Sequence, residues 1–113
     1  MITHPKSTIL VIDDEQGIRQ SFNMVLKNQF NVLLAGSGKE ALELFARNSV
    51  DLVLLDIILQ DENGLDLLIK FKELDPNAEI IMVSAIKDVK TAVKAIKLGA
   101  YDFLEKPVDA QRV

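Results

Sequence analysis

The sequence predicts an α/β protein in which a five-stranded parallel sheet is covered by helices on both faces. Short apolar runs alternate along the chain with longer segments whose apolar residues recur every three or four positions. Strands that alternate with helices are joined by right-handed crossovers and run parallel. Leu52 to Leu55 has no polar alternation, which is typical of a strand buried on both faces.

The five strands are predicted from the apolar runs. They cover residues 8–12, 30–35, 52–55, 80–83 and 101–105. A capping box at Ser37 and Glu40 predicts the start of the second helix, and Asp88 is the expected cap of the fourth. Gly99 lies where a left-handed residue would end that fourth helix.

Four helices are predicted, over residues 16–28, from 37 to about 48, from the polar loop 60–64 to the stop at 75–77, and from 88 to 99. Their apolar stripes are all assigned to the core. The stripes consist of Ile18, Phe22, Val25 and Leu26; Ala41, Leu44 and Phe45; Leu67, Leu68, Phe71 and Leu74; and Val89, Ala92, Val93 and Ile96.

Composition limits the class of protein. The chain has 113 residues, enough for one domain, with 49% apolar and 27% charged residues, which is a soluble globular balance. No apolar run is long enough for a membrane span or a signal peptide, so a cytoplasmic protein is expected. The absence of cysteine excludes thiolate chemistry, and a net charge of −4 without a basic stripe argues against direct nucleic-acid binding.

The end of the chain leaves the pattern incomplete. Only residues 108–113 follow Pro107, so a fifth helix can be little more than begun. Part of one sheet face would then lack its cover, which favours a fragment of a longer protein whose output domain is absent. Exposed apolar surface of this kind would also favour a homodimer.

Chemically active side chains follow four of the five strands. In a parallel sheet the carboxyl ends of the strands meet at one edge, where ligands bind. The residues placed there are Asp13, Asp14, Asp56, Ser84 and Lys106. Each alone has a structural explanation as a helix cap, a turn hydroxyl or a solvated lysine, but their joint placement favours a site.

This set of groups suits phosphoryl transfer. Carboxylates brought together repel one another unless a cation lies among them, and magnesium prefers oxygen ligands of this type. An ionised Asp56 could attack a phosphoryl group to give an acyl phosphate. Ser84 and Lys106 would supply a hydrogen-bond donor and a positive charge for the phosphoryl oxygens.

Five segments occur in a characteristic order and spacing: Val11-Ile12-Asp13-Asp14-Glu15, Leu54-Leu55-Asp56-Ile57, Asn63-Gly64-Leu65, Val83-Ser84-Ala85 and residues 99–107. Together they resemble the receiver domain of bacterial two-component response regulators, and residues 99–109 are most similar to the receivers of enhancer-binding transcription activators. The resemblance implies a flavodoxin-like fold with strand order 2-1-3-4-5. It also implies a phosphorylation-controlled switch rather than a turnover enzyme.

The resemblance further implies a role for each site residue. Asp56 would accept the phosphoryl group from a histidine kinase. Magnesium, or manganese in its place, would be held by Asp14, Asp56 and the backbone carbonyl of Ile58, with Asp13 acting through water.

The remaining implied roles concern the response to phosphorylation. Ser84 would move to the phosphoryl group, Lys106 would be its counter-ion, and Phe103 would turn inward and change the surface of the fourth helix and fifth strand. The Lys106-Pro107 bond is commonly cis in the family.

Two positions depart from the family pattern. Gln60 replaces a common proline, which leaves the loop after Asp56 less restricted. Ile58 and Ile86 are apolar where family members often carry residues that orient the attacking water, so slow autodephosphorylation is expected.

Two other functions compete with the switch. A phosphohydrolase acting through an aspartyl phosphate would usually carry a second aspartate two residues after Asp56, where this chain has Ile58. A nucleotide- or flavin-binding module of the same topology would need a glycine-rich phosphate cradle, which the loops after the first two strands lack.

Overall fold

The computed structural model describes residues 6–60, 62–85 and 88–106, and within them it contains the predicted five-stranded parallel sheet. The strands are β1 (Thr8–Ile12), β2 (Asn31–Ala35), β3 (Leu52–Leu55), β4 (Ile80–Ser84) and β5 (Asp102–Glu105). They run in the order β2-β1-β3-β4-β5, which confirms the doubly wound topology. Leu10 of β1 lies opposite Leu33 on one side and Val53 on the other.

Four helices in the described part of the chain cover the two faces of the sheet. They are α1 (Gln16–Leu26), α2 (Gly38–Arg47), α3 (Gly64–Leu74) and α4 (Val89–Lys97). Phe22 and Leu26 of α1 pack with one set of strand side chains, while Phe71 of α3 and Ala95 of α4 belong to the other, larger cluster. The inner strands β1, β3 and β4 are therefore buried on both faces, as their unbroken apolar runs predict, whereas β2 and β5 at the edges are partly exposed.

The predicted helix ends are confirmed by their hydrogen bonds. The Ser37 hydroxyl accepts from the backbone N–H of Glu40 at 3.2 Å, and the Asp88 carboxylate accepts from the N–H of Lys90 at 3.0 Å. Gly99 has a φ of +109°, the left-handed conformation in which glycine is favoured. Local sequence signals thus fix the ends of α2 and α4.

The assignment of all four apolar stripes to the core is wrong at five positions. The exposed members are Val25, Leu74, Val89, Val93 and Ile96. In α4 the buried residue is instead Ala95, which lies against the sheet, and Val89 is 74% exposed. The exposed stripe lies beside a row of smaller apolar residues that contains Ala92 and Ala95, and periodicity alone does not show which of the two faces the sheet. The row of smaller residues packs inward.

Three predictions concern residues outside the described ranges. They are the role of Ile86, the cis bond before Pro107 and the fifth helix over residues 108–113. Among the residues that are described, no helix has the length and apolar character needed to cross a membrane.

Two isoleucine-to-alanine substitutions test whether the exposed stripe of α4 lies outside the core. Ile80→Ala removes a fully buried side chain and should cost about 2–5 kcal/mol of unfolding free energy. Ile96→Ala removes a side chain that is 47% exposed and should cost less than about 1 kcal/mol. Urea denaturation measures both values. Similar losses for the two variants would contradict the exposed position of the α4 stripe.

Candidate functional site

Backbone pairing carries two aspartates to the same edge of the sheet. The N–H of Asp56 donates to the carbonyl of Ile12 at 3.0 Å, and the N–H of Asp13 donates to the carbonyl of Ala35 at 3.1 Å. Each ladder thus continues one residue beyond its strand. The side chains of Asp13 and Asp56 are buried at that point, with residue exposures of 3% and 5%.

Lys106 reaches this edge from the end of β5. Its N–H donates to the carbonyl of Ser84 at 2.8 Å, which extends the β4–β5 ladder. Its Nζ donates to Asp13 Oδ2 at 2.6 Å and to Asp56 Oδ2 at 3.0 Å. The lysine side chain is only 15% exposed, so one ammonium bridges two buried carboxylates.

The loop after β3 holds the other oxygen of Asp56. The N–H of Ile58 donates to Asp56 Oδ1 at 3.2 Å, while Ile58 itself pairs with Asn63 in an antiparallel bridge. Gly64 allows this loop to close, because a Cβ at that position would lie 2.1 Å from the carbonyl oxygen of Asp56. Both oxygens of the Asp56 carboxylate are therefore oriented by the protein.

The three predicted carboxylates form one cluster. Ligand oxygens of Asp13, Asp14 and Asp56 lie within 4.8 Å of one another, and Asp14 is the most exposed of the three. With Lys106 the cluster carries a formal charge of −2, from three acids and one base. All-oxygen donors with excess negative charge suit a hard divalent cation such as Mg²⁺. The residues present therefore fit the metal that the sequence predicts.

Burial governs the ionisation of the two central groups. It raises the pKa of Asp56 above its usual range, because the hydrogen bond and the positive charge of Lys106 offset only part of the desolvation. Burial alone would lower the pKa of Lys106, but its hydrogen bonds to Asp13 and Asp56 outweigh that effect and the pKa is raised. The Lys106 ammonium therefore stays charged, whereas burial makes the ionised form of Asp56 unfavourable.

Ser84 and Phe103 lie on the neighbouring strands β4 and β5. Ser84 is fully buried at the end of β4, two residues beyond Met82, which lies opposite Leu55. Phe103 lies opposite Met82 on the other side and is half-buried against the larger core cluster. Ser84 thus ends β4 at the edge of the sheet that carries the site, whereas Phe103 lies two residues before the end of β5. The roles of both as moving groups stay predictions.

Arg19 is a site residue that the sequence did not reveal. Its Nη1 donates to the backbone carbonyl of Asp13 at 2.6 Å, and its guanidinium lies close to Gly36 after β2. The side chain thus ties the loop after β1 to the loop after β2. An arginine within an amphipathic helix has no local signal for such a contact, because the contact forms only when β1 and β2 pair.

The fold and the site together define a class: an α/β domain with a buried aspartate, a bridging lysine and a cluster of three acidic residues at the carboxyl edge of its sheet. The family model of the response regulator receiver domain matches residues 9–113. The chain belongs to that family, and it is a signalling domain of the receiver type.

Curated relatives and a solved structure agree with this assignment. The chain is 40% identical over 105 residues to the response regulator protein PilR of Pseudomonas aeruginosa, covering 92% of this chain and 24% of that protein. It is 38% identical over 109 residues to the transcriptional regulatory protein ZraR of Escherichia coli K12, covering 96% and 25%. The chain therefore spans about a quarter of the length of these relatives.

The solved structure is the CheX–CheY–BeF3–Mg²⁺ complex from Borrelia burgdorferi. It superimposes with a TM-score of 0.87 at 28% identity and covers 96% of this chain and 84% of that one. This similarity agrees with the strand order and the fold.

Replacing Asp56 should stabilise the metal-free domain. The folded protein binds the Asp56 proton more tightly than the unfolded chain does, so stability falls as the pH rises from the usual aspartate pKa through the raised one. At neutral pH the ionised Asp56 is thus a cost. Asp56→Asn should therefore raise the Tm.

Calorimetry at pH 7 in the presence of a chelator measures the effect. Asp66→Asn is the matched control, because Asp66 is exposed in the first turn of α3 and its replacement should lower the Tm slightly or leave it unchanged. A Tm for Asp56→Asn at or below that of the parent protein would be inconsistent with a net cost of the buried charge.

Proposed function

We propose that Asp56 accepts a phosphoryl group from the phosphohistidine of a histidine kinase, in a reaction that requires magnesium or manganese. One observation carries the proposal: a buried carboxylate whose Oδ2 is 3.0 Å from the Lys106 ammonium, beside two further acids. Asp14, Asp56 and the backbone carbonyl of Ile58 would hold the metal, with Asp13 acting through water. When bound, the metal would neutralise charge on the phosphoryl oxygens.

The residues of the chain supply the nucleophile and its orientation. One carboxylate oxygen of Asp56 forms a bond to phosphorus as the phosphorus–nitrogen bond of the donor breaks, and the bonding electron pair returns to the imidazole. The Ile58 N–H and the Lys106 ammonium orient the carboxylate before attack. Lys106 is then the counter-ion of the added phosphoryl group, and Ser84 is its hydroxyl donor.

The domain then acts as a switch and not as a turnover enzyme. Hydrolysis of the aspartyl phosphate needs an oriented water molecule. The side chain of Ile58 is 57% exposed, two residues after Asp56, and has no hydrogen-bonding group that could orient water. We therefore expect slow autodephosphorylation.

The proposed partners are a cognate histidine kinase and an output domain. Residues 1–113 would form the receiver domain of a longer response regulator that controls transcription, which is supported by relatives about four times as long. The net charge of −4 argues against direct contact between this domain and nucleic acid.

The surface that changes is proposed to be α4 with β5. Three lysines of α4, Lys90, Lys94 and Lys97, accompany the exposed apolar stripe, and the helix contains no acid. This charge is opposite to the net charge of the chain. A partner surface that combines apolar and acidic side chains would be complementary to it.

Phosphorylation by a small donor tests the proposal directly. Incubation with acetyl phosphate and Mg²⁺ should add one phosphoryl group, detected by intact-protein mass spectrometry, and Asp56→Asn should remove the adduct. Asp66→Asn controls for loss of an exposed carboxylate and should be phosphorylated normally. An adduct that persists in Asp56→Asn would refute the assignment of the phosphoacceptor.

The same mass measurement, repeated after the donor is removed, gives the lifetime of the adduct. Ile58→Asn should shorten it several-fold, because an amide could orient water where isoleucine cannot. Equal lifetimes in the parent and the variant would show that this side chain does not limit hydrolysis.

Nuclear magnetic resonance tests the proposed output surface. Addition of beryllofluoride and Mg²⁺, a phosphoryl mimic, should shift the backbone amide signals of Ser84, Phe103 and α4. The α1 signals of Ser21 to Leu26 should change less. No shift in α4 despite binding at Asp56 would exclude this helix as the changing surface.

A further inference from the structure

The loop between β3 and α3 has an anchor at its tip that the proposed chemistry does not use. Ile58 pairs with Asn63, and the N–H of Gly64 donates to the carbonyl of Ile57 at 2.6 Å, so the base of the loop is closed. Between these points Gln60 is exposed, while Leu59 is buried in the core. The remaining described tip residue is Glu62.

Glu62 lies against the first turn of α2. Its side chain is only 25% exposed, and one of its carboxylate oxygens is 3.3 Å from the Nζ of Lys70 on α3. The other oxygen, Oε1, occupies space that a side chain on Gly38 would need: a Cβ there would lie 2.1 Å from it. Gly38 is the first residue of α2, where the helix dipole favours a negative charge.

We propose that Glu62 is a positioning residue, which holds the loop after β3 against α2 and so places Ile58 for binding of the metal and orientation of Asp56. This inference rests on the proposed function. Glu62 contacts neither the metal cluster nor Asp56 and acts through the Ile58–Asn63 bridge.

The contacts on either side of the tip explain why this anchor matters. Ile58 donates its N–H to Asp56 Oδ1, so a shift of the loop moves a hydrogen bond on the reactive carboxylate. Leu59 fixes the inner side of the loop through apolar contact, which is not directional. Glu62 fixes the outer side through charge and shape, because it meets Lys70 and the backbone of α2.

The two helix-start glycines offer a matched pair of substitutions. Gly38→Ala should displace the Glu62 carboxylate, which is the far end of a flexible side chain. The added Cβ also comes within 3.0 Å of Cδ1 of the buried Leu67, so a modest loss of stability is expected beside the change at Glu62. Gly17→Ala, near the start of α1, is the control because a Cβ there meets nothing within 4 Å. Gly38→Ala should weaken Mg²⁺ binding roughly 3–10-fold, below the range typical of side chains that contact a metal ligand directly. Gly17→Ala should leave it unchanged.

Two readouts separate positioning from a merely structural role. Titration of Mg²⁺ followed by amide resonances gives the affinity, and hydrogen exchange of the Ile58 amide in metal-free protein reports loop order without any metal. Glu62→Ala should match Gly38→Ala in both. Combining the two substitutions should add no further loss, since both remove the same contact. Glu62→Gln should fall between the parent and Glu62→Ala, because it keeps the shape and loses the charge.

The outcomes distinguish this inference from the proposed function. If the parent protein binds no Mg²⁺, the proposed function fails. If the parent binds Mg²⁺ and both Gly38→Ala and Glu62→Ala keep its affinity and its Ile58 exchange rate, the positioning role is wrong. A lower Tm of Glu62→Ala with unchanged Mg²⁺ affinity and Ile58 exchange would also overturn it, since Glu62 would then only stabilise the fold.

Discussion

The site depends on one ammonium group shared by two buried carboxylates. Lys106 lies 2.6 Å from Asp13 and 3.0 Å from Asp56, and with Asp14 nearby the cluster still carries two excess negative charges. An unpaired charge in such a position would be strongly destabilising, and a single cation cannot fully compensate three acids. The metal-free domain therefore keeps an electrostatic cost, which binding of a divalent cation would relieve.

The sheet makes this arrangement possible, because it brings distant segments to one edge. Asp13, Asp56 and Lys106 each follow a strand and are each held by a backbone hydrogen bond that continues the ladder. The backbone thus sets the separation of the groups before their side chains interact. Gly64 lets the loop after Asp56 lie against the strand end. A few close backbone contacts fix the geometry that the chemistry needs.

Much of the fold and the identity of the clustered residues followed from local patterns. Unbroken apolar runs predict buried strands, and the acids that follow these runs predict residues that meet at one edge of the sheet. Both signals are contained in short segments of the chain. The packing of α4 did not follow, because periodicity emphasises the large side chains of Val89, Val93 and Ile96, whereas the helix is buried through the small side chain of Ala95. The contacts of Arg19 and Glu62 join separate loops, so no local pattern could indicate them.

The alanine contact beneath α4 has an evolutionary consequence. Because α4 is buried through the small side chain of Ala95, its larger exposed side chains contribute little to the core. Substitutions at Val89, Val93 and Ile96 can therefore accumulate at little thermodynamic cost, while the residues around Asp56 are constrained by their mutual charges. Descendants of one ancestral domain could acquire new binding specificities on this helix and retain the same phosphoryl chemistry.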